Sequence, residues 1–314
     1  MGRMTTGTNA NLLLDVFHGK LFIEALREKL VVLPLALMED GPTSSGKTVR
    51  WQYFGNPAAV TTPLSEGGDP TSPRDLATTA VTAALDEYGD YFEPSKMLLA
   101  TGATGTKAEI VKAAGYQAAI SMDTLCFTQS LYDTTQTLGG GAAAAFTADN
   151  LRAAFAGLMG NSANPHPKTN GGKYFAAVLA VEAGVDMMNE TTDYSSTQAP
   201  NWNTAHTTDM GTRGIGTGIP FVGDAQFIWG CQLYISQNVP SESADQENNY
   251  VIGNEGFGAL SVTSDLLNPR VIITDPEERT DKPLRNSGTV GWWVDFVSEL
   301  INSNSVVELL SDIT

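Results

Sequence analysis

The sequence predicts a mixed α+β fold, because two kinds of periodicity occur along it. Lys107 to Thr134 is alanine-rich and free of proline, and its apolar residues recur at the spacing of one long helix. Val290 to Ile301 instead alternates large apolar side chains as a single long strand would. No period of roughly 20 to 50 residues repeats, so solenoid and propeller architectures are not expected.

The first periodic residues predict a helix followed by a strand. Across residues 9–28 apolar side chains recur at roughly helical spacing, which predicts an amphipathic helix. Val31 to Leu37 is a short apolar run and is predicted to be a strand. Glycine, proline and serine between Glu39 and Gly46 then predict a turn.

Two extended arms follow and flank a loop. Thr48 to Thr62 is rich in β-branched and aromatic residues, and Leu76 to Phe92 returns with threonine, valine and tyrosine. Residues 63–73 between them hold three prolines and two glycines, which predicts a loop. Because isolated two-stranded hairpins are marginal in water, this projection is expected to lie against another surface. A neighbouring subunit is the natural candidate.

The rest of the chain alternates between helix, strand and loop. A capped helix is predicted from Thr147 to Met159, and a buried strand from Tyr174 to Val181. Residues 191–217 are rich in threonine, asparagine and glycine and predict a long surface loop. The remaining predicted strands are residues 219–239 and 251–262, which alternate as paired strands would, then Arg270 to Thr274 and Val306 to Leu310.

The composition is that of an ordinary globular protein. Of 314 residues, 42% are hydrophobic and 17% are charged, enough for one large domain or two modest ones. The sequence contains no apolar stretch of about 18 residues and no signal-peptide pattern, so we expect no membrane span and synthesis in the cytoplasm. Cys126 and Cys231 lack a CxxC spacing or a histidine cluster, which favours buried free thiols.

The charge of the chain is strongly acidic. Its 35 acidic and 18 basic residues give a net charge of -17. Binding along a phosphate backbone relies on clustered lysine and arginine, so a conventional nucleic-acid binder is not expected. One hypothesis for the excess is that an acidic wall would not adhere to DNA packed inside a container. The alternative is that an acidic surface aids solubility, and composition alone does not separate the two.

One segment matches a nucleotide-binding pattern. Gly41 to Thr48 fits the phosphate-loop spacing GxxxxGK[ST] and follows an apolar run. In a phosphate loop the lysine begins a helix whose N-terminal amides hold the phosphates. Thr48 to Pro57 is instead dense in β-branched and aromatic residues, which predicts a strand. The best candidate for a magnesium-supporting partner motif, Val271 to Asp275, is interrupted by threonine, so a phosphate-loop nucleotide-binding protein is kept only as an alternative.

Other residues with catalytic potential lack the neighbours that the chemistry requires. Gly214 to Gly218 has no third spaced glycine before a helix, which favours a flexible turn. Glu277-Glu278 lies in a charged loop, where a solvated cluster is expected. His18 is expected to pack or be solvated on its helix, and His166 and His206 have no obvious carboxylate partner in sequence. The sequence therefore predicts no catalytic residue, no metal ligand and no cofactor, and so no enzyme.

Two separated segments carry a family resemblance. The first runs from Thr61 to Tyr91, with the turn Leu64-Ser-Glu-Gly67, a threonine-rich return arm and the ending Tyr88-Gly-Asp-Tyr91. The second comprises Pro283-Leu284, Gly288-Thr-Val-Gly-Trp292, Leu300-Ile-Asn302 and Val306-Val-Glu308. Both segments, in this order, resemble the major capsid proteins of N4-type podophages, which are tailed bacteriophages.

The resemblance implies the HK97-like capsid fold, an α+β fold with four recognisable parts. Mapped onto this chain, they are an N-terminal arm at 1–47, an extended β-hairpin loop at 48–93, a peripheral domain with a long spine helix at 94–172 and 263–314, and an axial domain at 173–262.

The same resemblance implies a function and its residues. It implies a subunit of the icosahedral virion shell that assembles into hexamers and pentamers and encloses double-stranded DNA without sequence-specific binding. Portal, scaffolding and decoration proteins are the expected partners, and bacterial cargo cages of the same fold are the alternative. The expected inter-subunit loop is Pro63, Leu64, Ser65, Glu66, Gly67, Gly68, Asp69 and Pro70. The expected C-terminal strand residues are Gly291, Trp292, Trp293 and Phe296.

Overall fold

Helices and strands alternate along the chain in the computed structural model. The described residues are 18–27, 29–40, 46–55, 57–63, 66, 74–102, 105–132, 136–138, 145–189, 226–243, 246–261, 269–278, 281 and 283–312. The helices are α1 (18–27), α2 (Lys96–Thr101), α3 (Thr106–Cys126), α4 (Ala148–Gly160) and α5 (Val181–Asn189). The strands are β1 (Leu37–Asp40), β2 (Thr48–Phe54), β3 (Thr78–Ala84), β4 (Asp86–Phe92), β5 (Thr137–Leu138), β6 (Phe175–Leu179), β7 (Gln226–Ile228), β8 (Cys231–Ile235), β9 (Ser241–Ser243), β10 (Gln246–Ile252), β11 (Phe257–Ser261), β12 (Arg270–Thr274), β13 (Thr289–Leu300) and β14 (Val306–Asp312).

The predicted long helix is confirmed as α3, which a π-helical turn extends through Phe127–Leu131. Small residues on its buried face let α1 approach closely. A Cβ on Gly115 would lie 2.7 Å from the backbone oxygen of Phe22 and 3.0 Å from the Cβ of Ala25. The described part of the predicted N-terminal helix is likewise confirmed, whereas residues 9–17 and 28 lie outside the described residues.

The prediction of a strand from Val31 to Leu37 is wrong. Residues Leu33–Leu35 form a 3-10 turn with Pro34 near its start, and the strand β1 begins only at Leu37. The amides of Val31, Val32 and Leu33 bond to the carboxylate of Asp123 rather than to a neighbouring strand. The segment is nevertheless largely buried, so its hydrophobicity alone did not distinguish a turn from a strand.

The long strand β13 organises a five-stranded sheet. It pairs antiparallel with β11, β12 and β4, and β1 adds to β11 in parallel. Alternate β13 residues pack in one hydrophobic cluster with the buried face of α3: Val290, Trp292, Val294 and Phe296. The predicted strands 270–274 and 290–301 are therefore confirmed, and they form the sheet against which the long helix lies.

A second sheet of seven strands has the order β5-β14-β10-β6-β8-β7, with β9 also paired to β10. The predicted strand within Tyr174 to Val181 is confirmed as β6, all of which is buried. The strand predicted at 306–310 is confirmed as β14, and pairing within 219–239 is confirmed by the antiparallel β7 and β8. Residues 191–217 and 219–225 lie outside the described residues.

The strands predicted within 251–262 belong to different sheets. β10 lies in the seven-stranded sheet and β11 in the five-stranded one. Hydrogen bonds around the intervening turn hold this crossover, because the Gly253 amide donates to Ser305 and the Gly256 carbonyl accepts from Ile301. The apolar sequence from 251 to 262 therefore crosses from one sheet to the other instead of forming one pair of strands.

The helix predicted from Thr147 is confirmed as α4, with Thr147 at the N-cap position. Its hydroxyl donates to Oδ1 of Asn150 at 3.2 Å instead of accepting from a backbone amide. The sequence thus predicted where the helix begins but not how its cap is bonded.

Candidate functional site

The predicted extended arms form a hairpin over only part of their length, because β4 at the end of the returning arm pairs with β13 of the five-stranded sheet instead. β2 and β3 pair antiparallel from Thr48 opposite Ala84 to Phe54 opposite Thr78. Two further hydrogen bonds extend the pairing outward, from Gly55 N to Ala77 O at 2.9 Å and from the Arg74 guanidinium to Ala58 O at 3.0 Å. These two bonds hold the arms together beyond the last paired strand residues.

The base of the hairpin is fixed to the five-stranded sheet by Trp51. Its side chain is only 1% exposed and packs in a cluster with four further buried residues: Leu85, Leu260, Val297 and Ile301. A Cβ on Gly258 would lie 2.8 Å from the indole nitrogen of Trp51, so the indole lies directly over a glycine in β11. The Trp51 side chain therefore packs β2 against the five-stranded sheet.

The distal half of the hairpin presents apolar side chains to solvent. Phe54, Val60 and Leu76 are 59%, 75% and 51% exposed. Of the predicted inter-subunit loop, Pro63 and Glu66 are described and exposed. Its remaining members lie outside the described residues: Leu64, Ser65, Gly67, Gly68, Asp69 and Pro70. A projecting two-stranded hairpin with exposed apolar side chains is expected to lie against another surface.

The four residues predicted in the C-terminal strand divide between its two faces. Trp292 and Phe296 face α3, where Trp292 Nε1 donates to Gln117 Oε1 at 3.4 Å and Phe296 makes an edge-to-face contact with Tyr88. Trp293 is half-buried, and Gly291 is buried where a Cβ would lie 2.8 Å from that of Tyr91. Trp292 and Phe296 therefore contribute to the hydrophobic core.

The sheet face opposite α3 is covered over only part of its length. The cluster around Trp51 packs on Val297, six residues along β13 from Gly291. Cross-strand partners share a face, and around Gly291 these are Tyr91 and Ile272, which are 63% and 48% exposed. One half of this face is thus covered by the chain's own hairpin, and the other half is open.

The phosphate-loop match has the geometry of a strand. Lys47 is exposed and β2 begins at the next residue, so no helix N-terminus follows the lysine. Residues 41–45 lie outside the described residues. Asp275, which ends the candidate partner motif, accepts from Lys107 Nζ at 2.6 Å. A buried helix end that could hold phosphates is therefore not present where the described part of the motif lies.

We expect Lys47→Ala to leave nucleotide affinity unchanged. In a phosphate loop the lysine ammonium contacts the β- and γ-phosphates, and its loss would abolish binding. The measurement is titration of wild type and Lys47→Ala with ATP and magnesium by calorimetry. Binding by the wild type that disappears in Lys47→Ala would overturn the interpretation of this segment as a turn entering a strand.

The other candidate residues from the sequence make the following contacts. His166 donates from Nε2 to Leu35 O at 2.7 Å, and its Nδ1 accepts from the Lys168 amide. Both cysteines are free and buried, and burial raises the pKa of Cys126 and raises that of Cys231 to about 12. Glu277 forms an exposed ion pair with Lys96 at 3.2 Å.

His18 is buried on α1, His206 lies outside the described residues, and so does the turn at 214–218. Within the described ranges no group of three or more histidine, cysteine, aspartate or glutamate residues could hold a metal ion. Among the helices described, none combines the length and hydrophobicity that crossing a bilayer requires.

Comparison with solved structures assigns the fold to a class of shell proteins. The chain has the HK97-like fold of tailed-phage capsid proteins, which encapsulins share. The capsid of Ralstonia phage GP4 is 13% identical with a TM-score of 0.60, over 89% of this chain and 87% of that chain. A chain from Mycobacterium phage Che8 is 17% identical with a TM-score of 0.57, over 90% and 91%. An encapsulin complex from Synechococcus elongatus is 9% identical with a TM-score of 0.54, over 88% and 85%.

Sequence comparisons add nothing to this assignment. No family model matches the chain, and no curated protein matches it. At these identities the structural likeness establishes the fold and not the activity.

Proposed function

We propose that the chain is a structural subunit of an icosahedral phage head. It assembles in the host cytoplasm into hexamers and pentamers, becomes part of the virion and encloses double-stranded DNA. The observation that carries the proposal is the hairpin, whose distal apolar side chains Phe54, Val60 and Leu76 are exposed in the single subunit. The net charge of -17 is consistent with a wall to which packaged DNA does not adhere.

The parts of the fold receive roles under this proposal. Residues 1–47 form the N-terminal arm, 48–93 the extended loop, 94–172 with 263–314 the peripheral domain, and 173–262 the axial domain, with α3 as the spine helix. Two of the strand pairings cross the boundary between the peripheral and axial domains. β14 joins the sheet of β6 and β10, and β11 joins the sheet of β13. The two domains are thus connected through their sheets as well as through the chain.

The proposed contacts follow from the family resemblance of the two segments. Pro63 to Pro70 contact an adjacent subunit, while Gly291, Trp292, Trp293 and Phe296 shape the sheet that supports the hairpin. Portal, scaffolding and decoration proteins are further partners, and the chain has no cofactor and no catalytic role. The segments 61–91 and 281–308 support membership of the N4-type podophage capsid family, which is the finer part of the proposal.

A shortened hairpin tests the proposal. Deleting residues 61–74, which leaves residues 58–60 as a short connection in register with the paired strands, is expected to abolish closed shells and leave a soluble, folded subunit. The described core clusters contain no residue of 61–74, so the thermal midpoint is expected to stay close to that of wild type. Negative-stain microscopy measures shells, and circular dichroism measures folding. Normal particles from this variant would contradict the proposal.

A bacterial cargo cage is the second candidate, favoured by the structural likeness to the Synechococcus encapsulin. The contents of particles purified from the natural source separate the two. A phage head protects double-stranded DNA of uniform length from nuclease, whereas a cargo cage holds protein. Particles that contain a single co-purifying protein and no protected DNA would replace the first proposal by the second.

A further inference from the structure

The backbone between α1 and β1 is held at its amides by one buried carboxylate. Asp123 of α3 accepts from the amides of Val31 at 2.9 Å, Val32 at 3.3 Å and Leu33 at 3.1 Å. Asn238 adds a side-chain contact at 3.5 Å. Burial raises the pKa of Asp123, although these hydrogen bonds act to lower it.

The carbonyls of the same segment are held from the other side. Lys168 Nζ donates to Pro34 O and to Ala36 O, both at 2.6 Å. His166 Nε2 donates to Leu35 O, since its Nδ1 accepts from the Lys168 amide and the ring is neutral in this arrangement. Both residues lie between α4 and β6, far from α3 in sequence. We call Asp123, His166 and Lys168 the backbone clamp.

The charges of the backbone clamp match the polarity of the turn that they hold. The carboxylate lies at the amide end of the 3-10 turn Leu33–Leu35, and the ammonium lies at its carbonyl end. This is the favourable arrangement for the dipole of a helical turn. In the described part of the chain no ion pair neutralises Asp123 or Lys168, so both charged groups act on the backbone itself. Burying a carboxylate in this way costs free energy, which favours a positioning role over a simple gain in stability.

The held segment runs from the N-terminal helix into the five-stranded sheet. Through His166 and Lys168 it also contacts the connection that leads into the seven-stranded sheet. On one side, α1 buries Phe22 and Leu26 and crosses α3 at Gly115, and Lys29 lies 5.7 Å from the ring centre of Tyr116. On the other side, β1 continues into the five-stranded sheet. Asp123 belongs to the helix that packs on that sheet, whereas His166 and Lys168 precede β6 of the seven-stranded sheet.

We propose that Asp123, His166 and Lys168 are positioning residues that fix α1 in one place relative to both sheets, and that this fixed place is required for a subunit to enter a shell. The first half concerns the single subunit. The second half rests on the proposed function.

Hydrogen exchange of the soluble subunit tests the first half. Lys168→Met removes both carbonyl contacts and keeps much of the side-chain volume, and Asp123→Asn places an amide donor against backbone donors. Each change is expected to lower protection at Val31 to Leu33 and along α1 by at least about tenfold, with β13 unchanged. Lys173→Met is the matched control, because Lys173 is exposed in the same connection and carries the same charge. Lys168→Arg is expected to restore protection in part.

Two results would overturn the first half. In the first, residues 31–33 are equally protected in wild type, Lys168→Met and Asp123→Asn. The backbone clamp then does not fix this segment. Equal loss of protection in Lys173→Met would show a general effect of removing charge. Because most of Lys168 lies at the surface, Lys168→Met does not disturb the core and keeps the test valid even where Asp123→Asn does not fold.

Assembly of the same variants tests the second half. We expect wild type and Lys173→Met to form shells under identical conditions, and shell yield of Lys168→Met to fall at least about tenfold in parallel with its loss of protection. Normal shells from a Lys168→Met subunit with a loosened α1 would overturn the second half and leave the proposed function intact. If the wild-type chain forms no shells even in the complete phage, the proposed function is overturned. The hydrogen-exchange data would still decide the first half.

Discussion

Trp51→Ala is expected to lower the free energy of unfolding by about 3–5 kcal/mol, the usual cost of truncating a buried aromatic side chain. The Trp51 side chain joins β2 to the five-stranded sheet through Leu260, Val297 and Ile301. Its removal leaves a cavity at the base of the hairpin, and no other described contact cluster lies between the hairpin and that sheet. The expected consequence is a hairpin that no longer leaves the sheet in a fixed direction.

The measurement is urea unfolding monitored by far-ultraviolet circular dichroism, which, unlike tryptophan fluorescence, does not rely on the indole that is removed. Phe54→Ala is the matched control, because Phe54 is an aromatic residue of the same strand that is exposed in the subunit, and its truncation is expected to cost about 0.5 kcal/mol or less. A Trp51→Ala variant no less stable than Phe54→Ala would show that the cluster does not anchor the hairpin.

A double-mutant cycle isolates the contact between the indole and β11. Gly258→Ala places a Cβ 2.8 Å from Trp51 Nε1 and 2.7 Å from Ile301 Cδ1. Its cost is therefore expected to fall when Trp51 is already alanine, because one of the two overlaps is gone. Equal costs in both backgrounds would mean that the sheet relaxes away from the indole without strain.

Gly115→Leu is expected to destabilise the protein by about 3 kcal/mol, at the upper end of overpacking costs. Glycine inside a helix is normally unfavourable, so substitution alone would stabilise α3 by close to 1 kcal/mol. Here the added side chain meets the backbone of α1, whose Phe22 oxygen lies 2.7 Å from the position of a Cβ. Because backbone atoms cannot rotate away as a side chain can, α1 is expected to separate from α3.

Limited trypsin cleavage after Arg27 and Lys29, together with urea unfolding, measures the separation. Gly160→Ala is the control, since Gly160 also lies in a helix and no atom comes within 4 Å of its Cβ position. That change is expected to be neutral or slightly stabilising. If Gly115→Leu is as stable as wild type and equally resistant to trypsin, the close crossing of α1 and α3 is not rigid.

The elements that the sequence predicted correctly are those with a long, uninterrupted pattern. α3, β12, β13 and β14 each carry enough apolar periodicity to define their type and nearly their ends. The exposed hairpin followed from the same reasoning, because its tip has too little apolar content to form a core. Packing of Trp292 and Phe296 on one face also follows from their spacing by an even number of residues.

The features that sequence reasoning missed depend on residues far apart in the chain. Asp123 bonds to amides about 90 residues away, and His166 and Lys168 bond to carbonyls more than 130 residues away. Those bonds convert the apolar run at 31–37 into a turn, and no local pattern encodes them. The approach of Trp51 to Gly258 is equally non-local. His166, which lies between two prolines, and the nearby Lys168 give no local indication of these partners.

The way in which the two sheets share the chain has a consequence for the timing of folding. The five-stranded sheet contains β1 and β4 from early in the sequence but needs β13, and the seven-stranded sheet contains β6 but needs β14. During synthesis neither sheet can close until residues 289–312 leave the ribosome, because domains generally fold as units. A nascent chain therefore exposes its hairpin before it has a finished sheet to support it. The proposed role in a shell therefore requires β13 and β14 to have paired before a subunit can assemble.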